Sequence, residues 1–538
     1  MKKKIGLIFL FAIFTTTFLM ALPFDKSISA MELAKKMECG WNLGNTLDAR
    51  DNWSKKSFPK NDGVISQTFW GEEITTEEII KTGYKCGYKT IRIPVTWCNH
   101  LIDDNYTIDP LWMARVKEIV NWAIKSGYYV ILNEHHSVHD SMSSPLAHCE
   151  GYIVNSKDEK ESKAFLQAIW KQISENFNND YDEHLIFETM NEPRNTGHEH
   201  CWNPQIKNCA ECKTDVRLVN EYNQLILDTI RKSGGNNANR FVMIPGIGTS
   251  VDTVTADYFK LPKDSAVDKL MVTVHMYPLD SGGTGLQSHH FDSVTKNYIT
   301  RTFADLNKKF SSRGIPVVLG ECGASRNAGT YWENGVEKKI TDYVVTYEDR
   351  LNCFTHLAEQ TGKYSIPLIN WDCGGVWGMA SIDRKKCKAV EKEYIDSVVN
   401  AWQKACKNPA DINADIEAEG VRLSDFKVWD KSTSSYNAET GFVQFGKNYQ
   451  GGDVWFGDKD ISNIKNLLIT YSKASSQFQC WVSYTDGTEG QRVNFKSCKE
   501  SNTVKIPLDS SKTLKLLMFI GGANSVDFTL EKIEFSPR

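Results

Sequence analysis

The feature that most limits the fold of this chain is an alternation, repeated eight times, of a short apolar stretch and a longer helical pattern. The candidate strands begin near Cys39, Thr90, Tyr129, Leu185, Phe241, Met271, Pro316 and Ile366. Between them, segments such as Leu111 to Lys125 and Asp215 to Lys232 have apolar residues three and four positions apart, as in helices with one buried face. Eight strands in β-then-α order close a parallel barrel. The sequence therefore predicts an α/β fold, a (β/α)8 TIM barrel, over residues 31–406.

A smaller domain is expected after residue 410. Helical periodicity ends there, and short alternating strands separated by turn residues predict a β-sandwich over residues 411–538. Its notable aromatic residues are Trp429, Trp455, Phe456, Trp481 and Tyr484. They form either the sugar-stacking face of a carbohydrate-binding module or the core of a packing domain. Cys480 and Cys498 are the only cysteines in this region, and a disulfide between them is expected.

The amino terminus has the order of a secretory signal. A basic start, Met1-Lys-Lys-Lys4, precedes an apolar run to about Leu22, and small and polar residues follow. Residues 1–30 are therefore predicted to be a signal peptide, and the protein is predicted to be secreted and extracellular. A membrane anchor is the alternative, because the run approaches the roughly 20 residues that span a bilayer. In an export context, most of the fourteen cysteines are expected to form disulfides.

The remaining composition limits the partners. The formal net charge is −4, and no long basic run is present, which disfavours nucleic acid. Beyond the amino terminus no apolar segment is long enough to cross a membrane, so no membrane partner is expected. We expect a monomer.

Polar residues follow the predicted strands, where a barrel of this kind carries its chemistry. They are Asn45, Arg92, His135, Asn191, Glu192, His275, Tyr277, Glu321 and Trp371. Hydrolysis of a glycosidic bond requires one protonated carboxyl to assist the leaving oxygen and one ionised carboxyl on the opposite side of the sugar. The pair Glu192 and Glu321 meets this requirement.

Seven motifs, in order, resemble glycoside hydrolase family 5, the retaining β-glycanases that include many cellulases. They are Gly40-Trp-Asn-Leu-Gly-Asn-Thr-Leu-Asp48, Ile91-Arg-Ile-Pro-Val-Thr-Trp97, Ile131-Leu-Asn-Glu-His-His136, Glu188-Thr-Met-Asn-Glu-Pro193, Val274-His-Met-Tyr277, Leu319-Gly-Glu-Cys322 and Asn370-Trp-Asp372. The resemblance implies a retaining endo-β-1,4-glucanase that acts on a β-glucan polysaccharide without a cofactor. Xyloglucan, mixed-linkage glucan, mannan and xylan remain alternative substrates. A non-catalytic polysaccharide-binding protein is the alternative from a different class.

The resemblance also implies that Glu192 is the acid/base and Glu321 the nucleophile. Arg92 is always charged and can keep Glu321 ionised, while Tyr277 can donate a hydrogen bond to the same carboxylate. Glu192 has to keep its proton, which calls for a poorly solvated position near the negative charge of Glu321.

The other strand-end residues are expected to contact the sugar. The resemblance implies that Asn191 bonds the 2-hydroxyl and that Trp371 is a stacking platform, while His135 and His275 complete the polar floor. For His136, a peripheral contact and no contact are equally open. Glu134 and Glu188 are expected to be structural. Further candidate sugar contacts near strand ends and loops are Trp41, Trp53, Trp70, Trp97 and Trp202.

Two histidines and three cysteines follow the fourth strand, in Gly197-His-Glu-His-Cys201 and Cys209-Ala-Glu-Cys212. This composition suggests zinc, but the spacing is not that of a standard zinc finger. We expect disulfides that staple a long loop beside the cleft, and no metal site is predicted.

Overall fold

The structure, a computed structural model, describes residues 24–50, 65–138, 151–279, 290–325, 330–333, 336–339, 345–374, 379–407, 419–461 and 464–537. These residues fall into two compact units. The first unit takes the described residues of Met1–Tyr277, Leu306–Gly329 and Thr361–Lys407, and the second takes those of Pro278–Asp305, Thr330–Gln360 and Asn408–Arg538.

Eight parallel strands close into a barrel in the first unit. In chain order they are β1 (Cys39–Asn42), β2 (Thr90–Ile93), β3 (Tyr129–Asn133), β4 (Leu185–Glu188), β5 (Val242–Ser250), β6 (Leu270–His275), β7 (Val317–Cys322) and β8 (Leu368–Asn370). Each strand pairs with its sequence neighbours, and β8 pairs with β1 to close the ring. The predicted barrel is confirmed, and each predicted strand begins within two residues of the observed one.

The described residues contain nine α-helices. They are α1 (Ala30–Met37), α2 (Glu77–Lys85), α3 (Pro110–Lys125), α4 (Glu159–Asn176), α5 (Ala210–Lys232), α6 (Val251–Thr255), α7 (Ser293–Lys309), α8 (Tyr347–Lys363) and α9 (Lys392–Lys407). Short 3-10 helices cover Ile65–Thr68, Cys98–His100, Gly235–Ala238, Ser311–Arg313 and Leu423–Asp425. Each described helix is too short or too polar to cross a bilayer.

Side-chain caps mark where several helices begin. The Thr76 hydroxyl accepts a hydrogen bond from the Ile79 amide at the start of α2, and Asp109 caps α3 directly before Pro110. Both arrangements satisfy or remove backbone donors that a helix start leaves unpaired. These helices therefore begin where the sequence supplies caps.

The segment before α1 packs against the base of the barrel. Phe24 and Ile28 are buried in one cluster with inward-facing strand residues, and Ser29 and Glu32 form a capping box at the start of α1. The strand residues of that cluster are Ile131, Ile186, Met243, Met271, Val318 and Ile369. The folded barrel unit thus begins before the predicted boundary at residue 31, and residues 24–30 of the predicted signal peptide pack within it. The rest of that predicted peptide lies outside the described residues.

The second unit contains two antiparallel sheets. One orders its strands Ser435–Asn437, Phe442–Phe445, Val526–Pro537, Ile464–Ser472 and Asn502–Pro507, with Glu419–Val421 also paired to Val526–Pro537. The other orders Phe426–Val428, Gly451–Asp460, Thr513–Ile520, Phe478–Tyr484 and Val493–Phe495. Short two-stranded pairs elsewhere are Thr330–Glu333 with Val336–Lys339 and Ile382–Asp383 with Lys388–Ala389. The predicted β-sandwich is confirmed.

The sandwich separates its aromatic residues into buried and exposed groups. Tyr484 lies in the core, with Phe456 packed against it. Trp481 is buried beneath the guanidinium of Arg492, which lies 4.1 Å from the ring centroid. Trp429 and Trp455, in contrast, are 46% and 62% exposed. The packing interpretation therefore fits Tyr484, Phe456 and Trp481, whereas Trp429 and Trp455 lie outside the core.

The thirteen cysteines of the described residues form no disulfides with one another. Cys480 lies in the sandwich core and Cys498 packs against that core, but both thiols are free. The predicted disulfide between Cys480 and Cys498 is therefore wrong, and so is the expectation that most cysteines are paired. Cys149 lies outside the described residues.

Candidate active site

The guanidinium of Arg92, on β2, is fully buried inside the barrel. Its Nε donates to Glu188 Oε2 at 2.7 Å, and its Nη1 donates to Glu321 Oε1 at 2.7 Å and to Asn42 Oδ1 at 2.9 Å. Its Nη2 donates to Asn191 Oδ1 at 2.6 Å. Burial lowers the pKa of Arg92, but the charges of Glu188 and Glu321 outweigh it and raise this pKa above its ordinary value. The arginine is thus a fixed cation that positions both a carboxylate and an amide.

Three buried side chains donate hydrogen bonds to Glu188, the last residue of β4. Besides the bond from Arg92, it accepts hydrogen bonds from Thr273 Oγ1 at 2.8 Å and from Asn133 Nδ2 at 2.9 Å. Its side chain is fully buried. Glu188 therefore balances the charge of Arg92, in line with its expected structural role.

Glu321, on β7, receives one donor on each carboxylate oxygen. Arg92 bonds Oε1, and the hydroxyl of Tyr277 donates to Oε2 at 2.8 Å. Burial, followed by the negative charge of Glu321, raises the pKa of Tyr277 well above its ordinary value. The phenol therefore keeps its proton and remains a donor. The two contacts therefore fix the orientation of the Glu321 carboxylate.

Glu192, four residues after the end of β4, has a different set of partners. Its Oε1 lies 2.9 Å from His275 Nδ1, and its Oε2 lies 3.7 Å from Arg194 Nη1. Burial raises the pKa of Glu192, but the hydrogen bond and positive charge of His275, together with Arg194, hold this pKa below its ordinary value. The direction of this shift is opposite to the one expected of a group that keeps its own proton.

The hydrogen-bond partners of Asn191 and His135 show which atom of each side chain remains to donate a hydrogen bond. Asn191 Oδ1 accepts from Arg92, so its Nδ2 hydrogens remain to donate. Asn133 Oδ1 accepts from the Val95 amide at 3.2 Å, which fixes the amide orientation, and its Nδ2 lies 3.2 Å from His135 Nδ1. The Nδ1 atom therefore accepts, and the proton of neutral His135 resides on Nε2.

The surroundings of His135 and His136 keep both imidazoles neutral. Burial lowers the pKa of His135 well below its ordinary value, and the charge of Arg92 adds to the effect. Desolvation of His136, followed by the charge of Arg50, lowers the pKa of His136 to about 3. Neutral imidazoles can accept hydrogen bonds from sugar hydroxyls or donate to them without placing a charge against the sugar.

Trp371, directly after β8, stacks on His135 with ring centroids 5.7 Å apart and an angle of 7° between the rings. A Cβ atom at Gly44 would lie 2.7 Å from the Trp371 ring, so only glycine leaves room for this ring. Asn45 follows in the same turn with a φ of 57°, and its amide donates to Asp48. The turn after β1 therefore sets the position of the tryptophan.

The family model of cellulase (glycosyl hydrolase family 5) matches residues 53–375. The chain belongs to this family. An endoglucanase B of Ruminococcus albus is 36% identical over 351 residues, which cover 64% of this chain and 73% of the relative. An endoglucanase B of Neocallimastix patriciarum is 34% identical over 494 residues, which cover 89% of this chain and 92% of the relative. The predicted family and enzyme class, a glycoside hydrolase of the endoglucanase type, are confirmed.

Solved structures of other family 5 proteins agree with the fold. A mutant family 5 lichenase from Caldicellulosiruptor sp. F32, in complex with cellotetraose, has a TM-score of 0.60 at 31% identity and covers 75% of this chain and 100% of its own. A broad-specificity endoglucanase from Ruminococcus champanellensis with bound cellotriose has a TM-score of 0.58 at 30% identity, covering 69% of this chain and 98% of its own.

The structure brings most of the predicted family 5 site residues into two contact networks. Hydrogen bonds and one ion pair connect the first network, which consists of Arg92, Asn191, Glu192, His275, Tyr277 and Glu321. Ring contacts connect the second network, which consists of His135, His136 and Trp371. His136 packs its ring edge against Trp70 at 5.4 Å, at the periphery of the second network. Asn45 contacts Asp48 through its backbone amide.

The loop tryptophans differ in their positions. Trp41 and Trp97 are fully buried and are packing residues, so they do not contact sugar. Trp70 contacts His136, and Trp202, 47% exposed, lies beneath the Arg194 guanidinium. Trp53 lies outside the described residues.

Sequence reasoning missed three supporting residues of the site. Asn42, Asn133 and Thr273 orient Arg92, His135 and Glu188 through their hydrogen bonds. The sequence contained a signal for Asn42 and Asn133. Each is a polar residue at the end of a buried barrel strand, where side chains that point into the barrel lie close to the site. Asn42 and Asn133 both end strands within the quoted motifs.

Tyr277→Phe should lower kcat by about 10²-fold, because it removes a donor from the Glu321 carboxylate while leaving the ring in place. Steady-state kinetics on a soluble β-glucan measure this loss. Tyr128→Phe is the matched control, since the Tyr128 hydroxyl also makes buried hydrogen bonds, to Trp41 and Ile80, away from the site. An equal loss of activity in both variants would contradict the assigned contact.

Glu134→Gln should change how stability depends on pH. Burial raises the pKa of Glu134 from 4.5 to about 7, against the opposing hydrogen bonds from Ser137. Between these values the unfolded chain releases a proton that the folded chain keeps, so the free energy of unfolding falls as pH rises, by about 3 kcal/mol in total. The variant lacks this loss. Denaturant unfolding of both proteins, at one pH below this range and one above it, measures the difference, and an identical pH dependence would contradict the prediction.

Proposed function

We propose that this enzyme hydrolyses internal β-1,4 bonds of cellulose or a related plant β-glucan with retention of configuration, with Glu192 as acid/base and Glu321 as nucleophile. One observation carries the proposal. A carboxylate oxygen of Glu192 and one of Glu321 lie within 4.8 Å of each other, and both lie near His275 Nδ1. Retaining glycosidases have carboxyl groups about 5–5.5 Å apart, whereas inverting ones leave room for a water at about 6.5–9.5 Å.

In the first step Glu321 attacks the anomeric carbon. Arg92 and Tyr277 hold its two oxygens, so the carboxylate is oriented before the sugar binds. As the ester bond to the sugar forms, the bond from the anomeric carbon to the leaving oxygen breaks, and Glu192 supplies the proton which that oxygen takes up.

The proton for Glu192 comes from its pair with His275. The two groups are 2.9 Å apart, so one proton can pass between them without rearrangement. A bound sugar chain excludes water from the pair and disfavours two separated charges, which shifts the proton toward the carboxyl. In the second step Glu192 takes a proton from water, the water attacks the anomeric carbon, and the ester to Glu321 breaks.

The sugar contacts follow from the donors that remain. Asn191 Nδ2 can donate to the 2-hydroxyl, where contacts strengthen toward the transition state. His135 Nε2 can donate to a neighbouring hydroxyl, and the half-buried ring of Trp371 can stack on the sugar. These contacts define the subsite of the sugar that is attacked.

The substrate class is supported by the relatives. Two solved family 5 structures contain cellotetraose and cellotriose, and one of these proteins is a lichenase. Xyloglucan, mixed-linkage glucan, mannan and xylan remain alternatives, because loop contacts worth about 1–3 kcal/mol decide among them. A polymer of this kind is met outside the cell, which supports the proposed secretion. A purely binding protein would not need the paired carboxylates.

Glu321→Gln should abolish turnover, and Glu192→Gln should lower it about 10²- to 10⁴-fold on polysaccharide while sparing substrates with good leaving groups. Reducing-end release on cellulose derivative, barley-type glucan, xyloglucan, xylan and mannan measures both effects and ranks the substrates. Glu134→Gln is the matched control, since it makes the same change at a carboxyl outside the site and should keep wild-type activity.

The stereochemistry is tested in the same assays by proton NMR of the first product. Retention predicts that the β-anomer appears first and then mutarotates. An initial α-anomer would contradict the nucleophilic role of Glu321, and wild-type rates in Glu321→Gln would contradict the whole assignment.

A second candidate function, sugar binding, belongs to the second unit. Asp453 and Trp455 lie two positions apart on one strand and so share a face of the five-stranded sheet. Trp429 Nε1 donates to Asp453 Oδ2 at 2.6 Å, which holds its ring beside them. Two exposed tryptophan rings with a polar group between them suit stacking on a glucan chain.

Replacing both Trp429 and Trp455 by alanine should weaken retention of the full-length enzyme on insoluble cellulose, because the exposed rings are removed. Turnover on a soluble substrate should be unchanged. Pull-down isotherms measure the retention. Phe442→Ala is the control, since Phe442 is 41% exposed on the other sheet. Retention that is unaffected in the double variant would leave this unit without a sugar-binding role.

A further inference from the structure

The loop between β4 and α5 brings together two histidines and two cysteines. His198 and His200 lie in the loop, Cys209 and Cys212 lie at the start of α5, and one ligand atom of each lies within 4.8 Å of the others. Cys209 Sγ is 3.4 Å from His198 Nε2, and Cys212 Sγ is 3.6 Å from His200 Nδ1. Each sulfur thus faces an imidazole nitrogen.

These separations are those of ligands around one zinc ion. With Zn–S bonds of about 2.3 Å and Zn–N bonds of about 2.0–2.1 Å, tetrahedral geometry places sulfur and nitrogen about 3.6 Å apart. Two thiolates and two imidazoles form a complete four-ligand set for a structural zinc site, and this soft donor set disfavours calcium and magnesium.

A carboxylate supports one of the histidines from behind. His198 Nδ1 is 3.4 Å from Asp215 Oδ2, whereas the other ring nitrogen of His198 faces Cys209. Asp215 is buried on α5, and Asn195 Nδ2 lies 3.3 Å from its other oxygen. Histidines that bind zinc through one nitrogen commonly donate from the other to a carboxylate, which fixes the ring and its tautomer.

Backbone amides point at both sulfurs. The Gln205 amide donates to Cys212 Sγ at 3.2 Å, and the Cys212 amide donates to Cys209 Sγ at 3.4 Å. Such donors stabilise thiolates, the form in which cysteine binds a metal. We propose that His198, His200, Cys209 and Cys212 bind one zinc ion, in place of the disulfides expected from the sequence.

The zinc ion would fix a loop that borders the acid/base. Arg194, four residues before His198, donates to the Glu192 carbonyl at 2.9 Å, and its guanidinium lies 4.1 Å from the Trp202 ring centroid. Trp202 also packs against Gly248, where a Cβ atom would lie 2.9 Å from its ring. This step rests on the proposed function, in which Glu192 donates a proton to the leaving group. The loop therefore presents Trp202 to the leaving-group side of the glucan.

The metal itself is tested without activity. The full-length protein, produced with zinc in the medium, should contain about one zinc ion per chain by plasma mass spectrometry. Cys212→Ser and His198→Gln should lose it. Cys201→Ser is the matched control in the same loop and should retain it. A zinc-free wild-type protein that also fails to take up added zinc, or zinc retained in both ligand variants, would overturn the proposal.

A second measurement uses the wild-type chain alone, in case the ligand variants do not fold. Zinc should protect Cys209 and Cys212 from alkylation, and removal of zinc by a chelator should expose both, as mapped by peptide mass spectrometry. Substitution by Co²⁺ should give the visible absorption of a tetrahedral thiolate site. A disulfide between Cys209 and Cys212 in the native protein would overturn the proposal.

The consequence for catalysis has its own readout. Removal of zinc should raise KM for polymeric glucan several-fold and leave kcat on a short aryl glycoside nearly unchanged, because only contacts with the leaving-group sugars are lost. Unchanged KM with zinc removed would contradict the proposed link between the metal site and substrate binding. Inactivity of the zinc-loaded enzyme on every glucan would instead contradict the proposed function and leave the zinc site standing.

Discussion

One buried cation organises the active site. The Arg92 guanidinium is removed from water, which is costly unless neighbouring charges and hydrogen bonds compensate. Glu188 and Glu321 supply the charges, and the side-chain oxygens of Asn42 and Asn191 accept from two further N–H groups. Glu188 compensates the burial of Arg92, and Arg92 in turn holds the carboxylate of Glu321. Removal of Arg92 would leave two buried carboxylates without their shared cation, so both depend on it.

The barrel supplies the distances within this network. Arg92 comes from β2, Glu188 from β4 and Glu321 from β7, so the bonds among them span the interior of a closed sheet. Strands in a barrel move little, whereas the loops that follow them can change in length without shifting these bonds. The loop that carries His198 and Trp202 adds contacts beside Glu192, whereas Arg92, Glu188 and Glu321 all lie on strands.

Periodicity in the sequence predicted the barrel, and the barrel predicted where polar side chains converge. The sequence did not show how loop residues far apart in the chain approach each other. The facing of His198 and Cys209 depends on a turn of the loop that no local pattern specifies. Likewise, Trp455 and Trp481 have similar strand settings, yet the guanidinium of Arg492 lies over the buried ring of Trp481 while Trp455 is exposed. The cysteine count in an export context suggested disulfides, but the sulfurs of Cys209 and Cys212 face imidazoles.

The two glutamates that we propose as catalytic are chemically identical, so their different proposed tasks have to come from their partners. Glu321 is held by donors that do not release protons, since Arg92 stays charged and burial keeps Tyr277 protonated. Glu192 is held by His275, and histidine is the side chain that ordinarily exchanges its proton near neutral pH. A carboxyl that shares a mobile proton can act as an acid and then as a base, whereas a carboxyl held by donors that keep their protons stays available for attack on the sugar. In the proposed mechanism, Glu192 therefore exchanges a proton with His275. Glu321 remains available as the nucleophile because Arg92 and Tyr277 keep their protons.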